Sequence, residues 1–151
     1  MSQQGLDRMR LHSYSEFQHW LAQDIEIREE LEALIGQPLD LDTASLDVLE
    51  AFILIRYQTM DDALTLSERG ILDAVARHIG LVMLLNIDEA SWAIELEDED
   101  NIYYRLPIIR FSDGAEECPL TLATAALDRR TGSFIRMVVE GYEEDYNLSS
   151  V

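Results

Sequence analysis

Residues 71–86 read ILDAVARHIGLVMLLN, and their apolar positions Ile71, Leu72, Val75, Ile79, Val82 and Met83 recur every three or four residues. That is the helical period, and a stripe this wide predicts a core helix enclosed by other elements. The helical reading reaches back to about Asp62, with Gly70 marking a break between a first short piece and the main helix. Gly80 lies within the stripe and, lacking a Cβ, offers a flat place for another element to approach closely.

Downstream the period changes. SWAIEL (91–96) and YYRLPIIRF (103–111) read as strands joined through the polar run EDEDN (97–101), which predicts an antiparallel hairpin. Trp92 and Ile94 alternate on one face, as do Tyr104, Leu106 and Ile108, while Pro107 removes a ladder donor and belongs at an edge or irregularity. The turn-forming SDGAEECP (112–119) leads to a third extended segment near Cys118–Leu120 and a helix from about Thr121. Leu122, Ala125, Ala126 and Arg129 share its face, and Gly132 is placed to end it. A last helix carries Phe134, Ile135, Val138, Val139 and Tyr142 at helical spacing.

Upstream, residues Met1–Gln4 read as a loose start. Ser13 or Ser15 caps a short helix with Phe17, Trp20 and Leu21, and Asp24 begins another with Ile27, Leu31 and Leu34, stopped by Gly36 and Pro38. A third starts near Thr43 or Ser45 and carries Leu46, Leu49, Phe52, Ile53, Arg56 and Tyr57. Leu54 and Ile55 widen its apolar face, so it is either central or lies at an interface; the run AFILI alone would also suit a strand. Most helices precede a small sheet and no strand–helix–strand repeat is visible, so the fold class is α+β rather than doubly wound. The expected architecture is a mainly helical N-terminal half, a small antiparallel sheet with a hairpin near residues 91–111 and two C-terminal helices, in a single domain (1–151) with loose termini.

The runs ARHIGLVMLL, SWAIEL, YYRLPIIRF and CPLTLATAALDRRTGSFIRMVV resemble, over residues 75–140, a group of small bacterial α+β proteins of uncharacterised function. Gly80, Trp92 and Pro119 are the more individual marks. The resemblance implies a long helix before a small sheet and an accessory or immunity-like role, and it carries no functional residue onto this numbering.

Thirty acidic residues face 11 basic ones, all arginine, for a formal net charge of −19. The excess is spread along the whole chain. Such a surface repels nucleic-acid backbones and anionic lipid headgroups and suits a basic protein partner or divalent cations. With 48% apolar residues the chain has ample material for a core. Cys118 is the single cysteine, so no intrachain disulfide forms. The opening residues lack the apolar run of about 7–15 residues that a secretory signal needs, which predicts a cytoplasmic protein.

Catalytic and metal-binding patterns are missing. His12 and His19 would share a face only if one helix covered both, and Ser13 and Ser15 place a helix start between them; His78 sits beside the core stripe as a boundary histidine. Neither HExxH nor paired cysteines occur. Glu95 and Glu97–Asp100 offer oxygens to a cation but lack the glycine-centred EF-hand loop, and Asp113, Glu116 and Glu117 form a second acidic group. Glu95 with Glu117, or Asp73 with His78, are acid–base pairings that only the fold could create. Cys118 lacks an adjacent base, Ser67, Ser112 and Ser133 lack a nucleophile elbow, and no phosphate loop or dinucleotide fingerprint is present. Arg105, Arg110, Arg129, Arg130 and Arg136 read as internal charge compensation or a local anion or protein patch. Tyr103, Tyr104, Trp92, Tyr142 and Tyr146 read as core aromatics.

No catalytic, cofactor-binding or metal-binding residue is therefore assigned, and no cofactor is expected. The expectation is a noncatalytic protein-binding or accessory module, inhibitor- or immunity-like, whose acidic surface meets a basic partner. A structural homo-oligomer, prompted by the Phe52–Ile55 surface, and a carboxylate-dependent enzyme are the alternatives.

Overall fold

The computed structural model describes residues 2–148. The described elements are helices α1 (Ser2–Asp7), α2 (Tyr14–Ala22), α3 (Asp24–Ile35), α4 (Ser45–Arg56), α5 (Met60–Ala63) and α6 (Arg69–Asn86), strands β1 (Ser91–Ala93), β2 (Ile108–Arg110) and β3 (Glu116–Glu117), and helices α7 (Pro119–Arg129) and α8 (Phe134–Tyr146). The fold is mixed α+β. Where a loose start was expected, the chain is helical from Ser2; Met1 and residues 149–151 lie outside the described residues.

Helix α6 is the hub: α3, α5, α7, α8, β1 and β2 all pack on it. Leu72, Val75, Ile79, Val82 and Met83 are fully buried, each removal from water contributing about 1.5–3 kcal/mol. The expected break before it is real. Helix α5 ends at Ala63, a turn follows, and α6 restarts at Arg69 beside Gly70. Gly80 receives the six-membered ring of Trp92, against which a Cβ would collide. One glycine thus lets β1 lie directly on α6.

Three antiparallel strands run in the order β1–β2–β3, with Trp92 opposite Ile109 and Arg110 opposite both Ser91 and Glu116. Both long strands are shorter than their alternation suggests. The next pair in register would be Ile94 with Pro107, which has no N–H to donate, so the ladder stops at Ala93 and Ile108. The intervening chain is an irregular loop pinned by Arg105 N–H to the Glu95 carbonyl (2.8 Å) and Leu11 N–H to the Arg105 carbonyl (2.7 Å), with Arg105 in the left-handed region at φ 63°.

Two further differences concern the last third of the chain. The third strand is Glu116–Glu117 rather than Cys118–Leu120, because Pro119 occupies the first turn of α7, where its fixed φ suits a helix and its missing N–H costs nothing. Helix α7 is ended by Arg130, in the left-handed conformation at φ 54°, rather than by Gly132. The Arg130 guanidinium donates to the carbonyls of Leu54 (2.8 Å), Tyr57 (3.0 Å) and Gln58 (3.0 Å), closing the C-terminal end of α4 and offsetting the cost of a non-glycine left-handed residue. In the opposite sense, the fully buried Glu50 of α4 accepts the N–H groups of Phe134 (3.2 Å) and Ile135 (2.8 Å) at the start of α8. The helical reading of AFILI holds. Ile53 is enclosed, Phe52 and Leu54 are half-buried against the core, and Ala51 and Ile55 point outward, Ile55 87% exposed.

Ser13 is the cap of α2, its Oγ accepting the Glu16 N–H at 3.1 Å, and Gly36 closes α3 at φ 92°. Among the described residues no helix is long and apolar enough to cross a membrane.

Gly80→Ala should lower the unfolding free energy by about 1–3 kcal/mol through overpacking on Trp92. Gly70→Ala, whose Cβ meets open space in a helical backbone, should be neutral or stabilising by roughly 0.5 kcal/mol; denaturant titration of both separates close packing from helix propensity. Glu50→Ala strands two buried N–H groups and should cost about 1–3 kcal/mol, with Glu50→Gln costing less because an acceptor remains.

Candidate protein-binding groove

The residues with chemical potential are mostly occupied in holding the fold. His78 is buried, and its Nε2 lies 2.9 Å from Ser45 Oγ. Ser45 Oγ in turn donates to the Asp42 carbonyl at 2.8 Å, so the ring is tied through Ser45 to the turn that precedes α4. Burial pushes the His78 pKa down to about 4 and the Arg28 charge adds to this, while the Glu32 charge, a hydrogen bond to the Asp40 backbone and the Asp42 charge oppose it. His78 and Asp73 are not brought together. Asp73 instead accepts from Trp20 Nε1 (2.8 Å) and from Arg77 Nε (2.7 Å).

Arg77, only 1% exposed, is the residue that periodicity passes over. Its Nη1 also donates to the Trp20 carbonyl (2.5 Å) and lies 4.0 Å from Asp24, and its guanidinium carbon sits 4.0 Å from the centre of the Trp20 ring. An arginine on an otherwise buried stripe, four residues after an aspartate, is the signal that would have found it. Partial burial raises the Asp24 pKa, against the lowering influence of Arg28 and Arg77.

Glu95 and Glu117 do not meet either. Glu95 accepts the N–H groups of Glu97 and Asp98, both at 3.1 Å, and these bonds hold its pKa low; Asp98 in turn accepts the Asp100 N–H at 3.0 Å. Glu117 accepts from Tyr142 Oη (2.6 Å) and from the Cys118 N–H (3.0 Å). Asp113 accepts from Tyr146 Oη (2.9 Å) and the Ala115 N–H (3.0 Å), and Glu116 pairs with Arg110 (2.7 Å). Among the described residues no three His, Cys, Asp or Glu side chains are grouped so as to hold a metal ion. Cys118 is fully buried, with its thiol pushed up to about 11 by desolvation, so it packs rather than reacts.

The histidines and arginines are equally dispersed. His12 precedes the α2 cap and contacts Arg105 Nη1 at 3.3 Å, while His19 lies on the exposed side of the helix. Arg129 lies over the Phe134 ring, Arg136 bridges Asp47 (2.9 Å) and Glu140 (3.0 Å), and Arg130 closes α4. Trp92 packs edge-on against Trp20 (4.9 Å), and Tyr142 and Tyr146 pack on Phe111.

An apolar-lined groove of about 440 Å³ opens between α3 and the beginning of α6. One wall is the Ile27, Leu31 and Leu34 stripe of α3; the other is Ser67, Gly70, Ile71 and Ala74. The α3 residues and Gly70, Ile71 and Ala74 of α6 recur at helical spacing, with Ser67 added by the turn before α6, and the two ridges leave a furrow between them. Leu31 closes the floor, whereas Leu34 is 45% exposed on the rim and Leu66, next in sequence to Ser67, is 81% exposed. Gly70 leaves the groove unfilled, since nothing lies within 4 Å of where its Cβ would be. Glu30 lines the rim, and Glu26, one turn earlier on α3, is exposed beside it. Ile71, which periodicity places in the core stripe, is only partly buried, because periodicity cannot tell which side of a helix stays uncovered.

Because His78 is protonated far more readily when unfolded, its contribution to stability is intact above pH 6.5 and is lost as pH falls toward 4. The shift from 6.5 to about 4 corresponds to roughly 3 kcal/mol, which should appear as a larger loss of unfolding free energy over that window in the native chain than in His78→Gln. Compared with protein-family models, with curated proteins and with solved structures, the chain gives no significant match to any of them.

Proposed function

We propose that this chain is a noncatalytic protein-binding module whose acidic surface covers a basic partner, in the manner of an inhibitor or an immunity-like protein. The observation that carries this reading is the fate of the carboxylates. Salt bridges among the described residues engage only Asp7, Asp24, Asp47, Glu68, Asp73, Glu116 and Glu140, seven of the 30 acidic residues. Of the rest only Glu50 is fully buried, and the chain as a whole carries a net charge of −19, a field that repels a second copy of the chain and attracts cations from beyond contact distance. Self-repulsion also weighs against the homo-oligomer, for which Ile55 alone supplies a fully outward apolar side chain in the Phe52–Ile55 segment.

Electrostatic steering sets the expected kinetics. Affinity capture from the source cells, followed by stopped-flow mixing with the purified partner, should give an association rate that falls by about tenfold or more as salt is raised from low to several hundred millimolar. Dissociation should change much less. Failure of the folded chain to retain any partner at low salt, or an association rate indifferent to salt, would overturn the reading.

A further inference from the structure

We propose that the groove between α3 and α6 is the docking site for one amphipathic, lysine- or arginine-rich helix of the partner. This rests on the binding reading above and specifies its partner element. A furrow walled by the ridges of two helices accepts the ridge of a third, and the small residues Ser67 and Gly70 let its backbone come close. The apolar wall from Ile27 to Leu34 is about 10 Å long at 1.5 Å per residue, which matches two turns of a ligand helix presenting large side chains at positions i, i+4 and i+7.

Charge selects the occupant. Asp73 lines the groove, but its carboxylate is taken by Arg77 and Trp20, whereas Glu30 makes no hydrogen bond or ion pair among the described residues and is free to meet a cation. Glu26 extends the acidic rim by one turn, and Arg69, the neighbour of Gly70, does not line the furrow. An apolar floor beside glutamates fits a helix with an apolar stripe flanked by lysine or arginine. A second copy of this acidic chain brings the wrong charge.

The test uses the intact chain and two synthetic peptides of about 18 residues with identical leucine, alanine and lysine content. One aligns the leucines along a single helical face and the other scatters them. By fluorescence anisotropy at about 150 mM salt, the aligned peptide should bind about tenfold or more tightly than the scattered one. Gly70→Gln, which fills the furrow with a polar side chain, should abolish that preference while leaving circular dichroism unchanged and the unfolding midpoint equal or slightly raised. Leu34→Ser, on the half-exposed rim, should weaken it independently. Equal binding of the two peptides, or a preference that survives both substitutions, overturns the groove assignment while leaving the acidic-surface reading standing. No binding of either peptide even at low salt overturns both. A concentration-dependent doubling of mass that Gly70→Gln abolishes would assign the groove to a second copy and overturn the proposal.

Discussion

A guanidinium enclosed in the protein interior is the constraint around which the helical half is arranged. Arg77 projects from the hub helix into a space with almost no solvent, so its charge must be met by groups on neighbouring elements. Asp73 supplies the carboxylate from one turn away, the C-terminal part of α2 supplies the Trp20 carbonyl and ring, and Asp24 supplies a further charge from the first turn of α3. Trp20 is thereby held against Trp92, and Trp92 against Gly80. The chain of contacts fixes α2, α3 and β1 on a single helix. Its value lies in specifying one arrangement, since a buried ion pair replaced by well-packed apolar groups is often no less stable.

The second half is tied to the first by reciprocal end-capping. Glu50 on α4 satisfies the start of α8, and Arg130, between α7 and α8, satisfies the end of α4. Opposite charges sit at opposite helix poles, and both bridges span more than seventy residues of sequence. Arg129, Arg130 and Arg136, which the sequence left between internal charge compensation and a local patch, are thus engaged in internal contacts. The tyrosines near the C-terminal end are engaged likewise, Tyr142 and Tyr146 each donating to a carboxylate of the β2–α7 region while stacking on Phe111.

Once those groups are accounted for, two properties remain unspent: the excess of carboxylates and the uncovered furrow on α3 and α6. They are adjacent. Apolar surface supplies affinity only when a complementary shape removes it from water, and the surrounding negative field decides which shapes arrive and in what orientation. A scaffold rigidly assembled around α6 presents both without needing a mobile element.

The amino-acid order by itself determined the class of fold, the helix start at Asp24, the starts at Ser13 or Ser15 and at Thr43 or Ser45 to within a choice of two, the break near Gly70 and the close approach at Gly80. Each is a local matter of period, capping or a missing Cβ, and local rules act within a few residues. Strand ends, the cap of α7 and the roles of Arg77, Glu50 and Arg130 were decided only in three dimensions, because each depends on a partner far away in sequence. The same reason hid the groove. Ile27, Leu34 and Ile71 follow the helical period as faithfully as Val75 and Ile79, and only the packing of whole elements settles which apolar side chains are enclosed and which stay partly open to water.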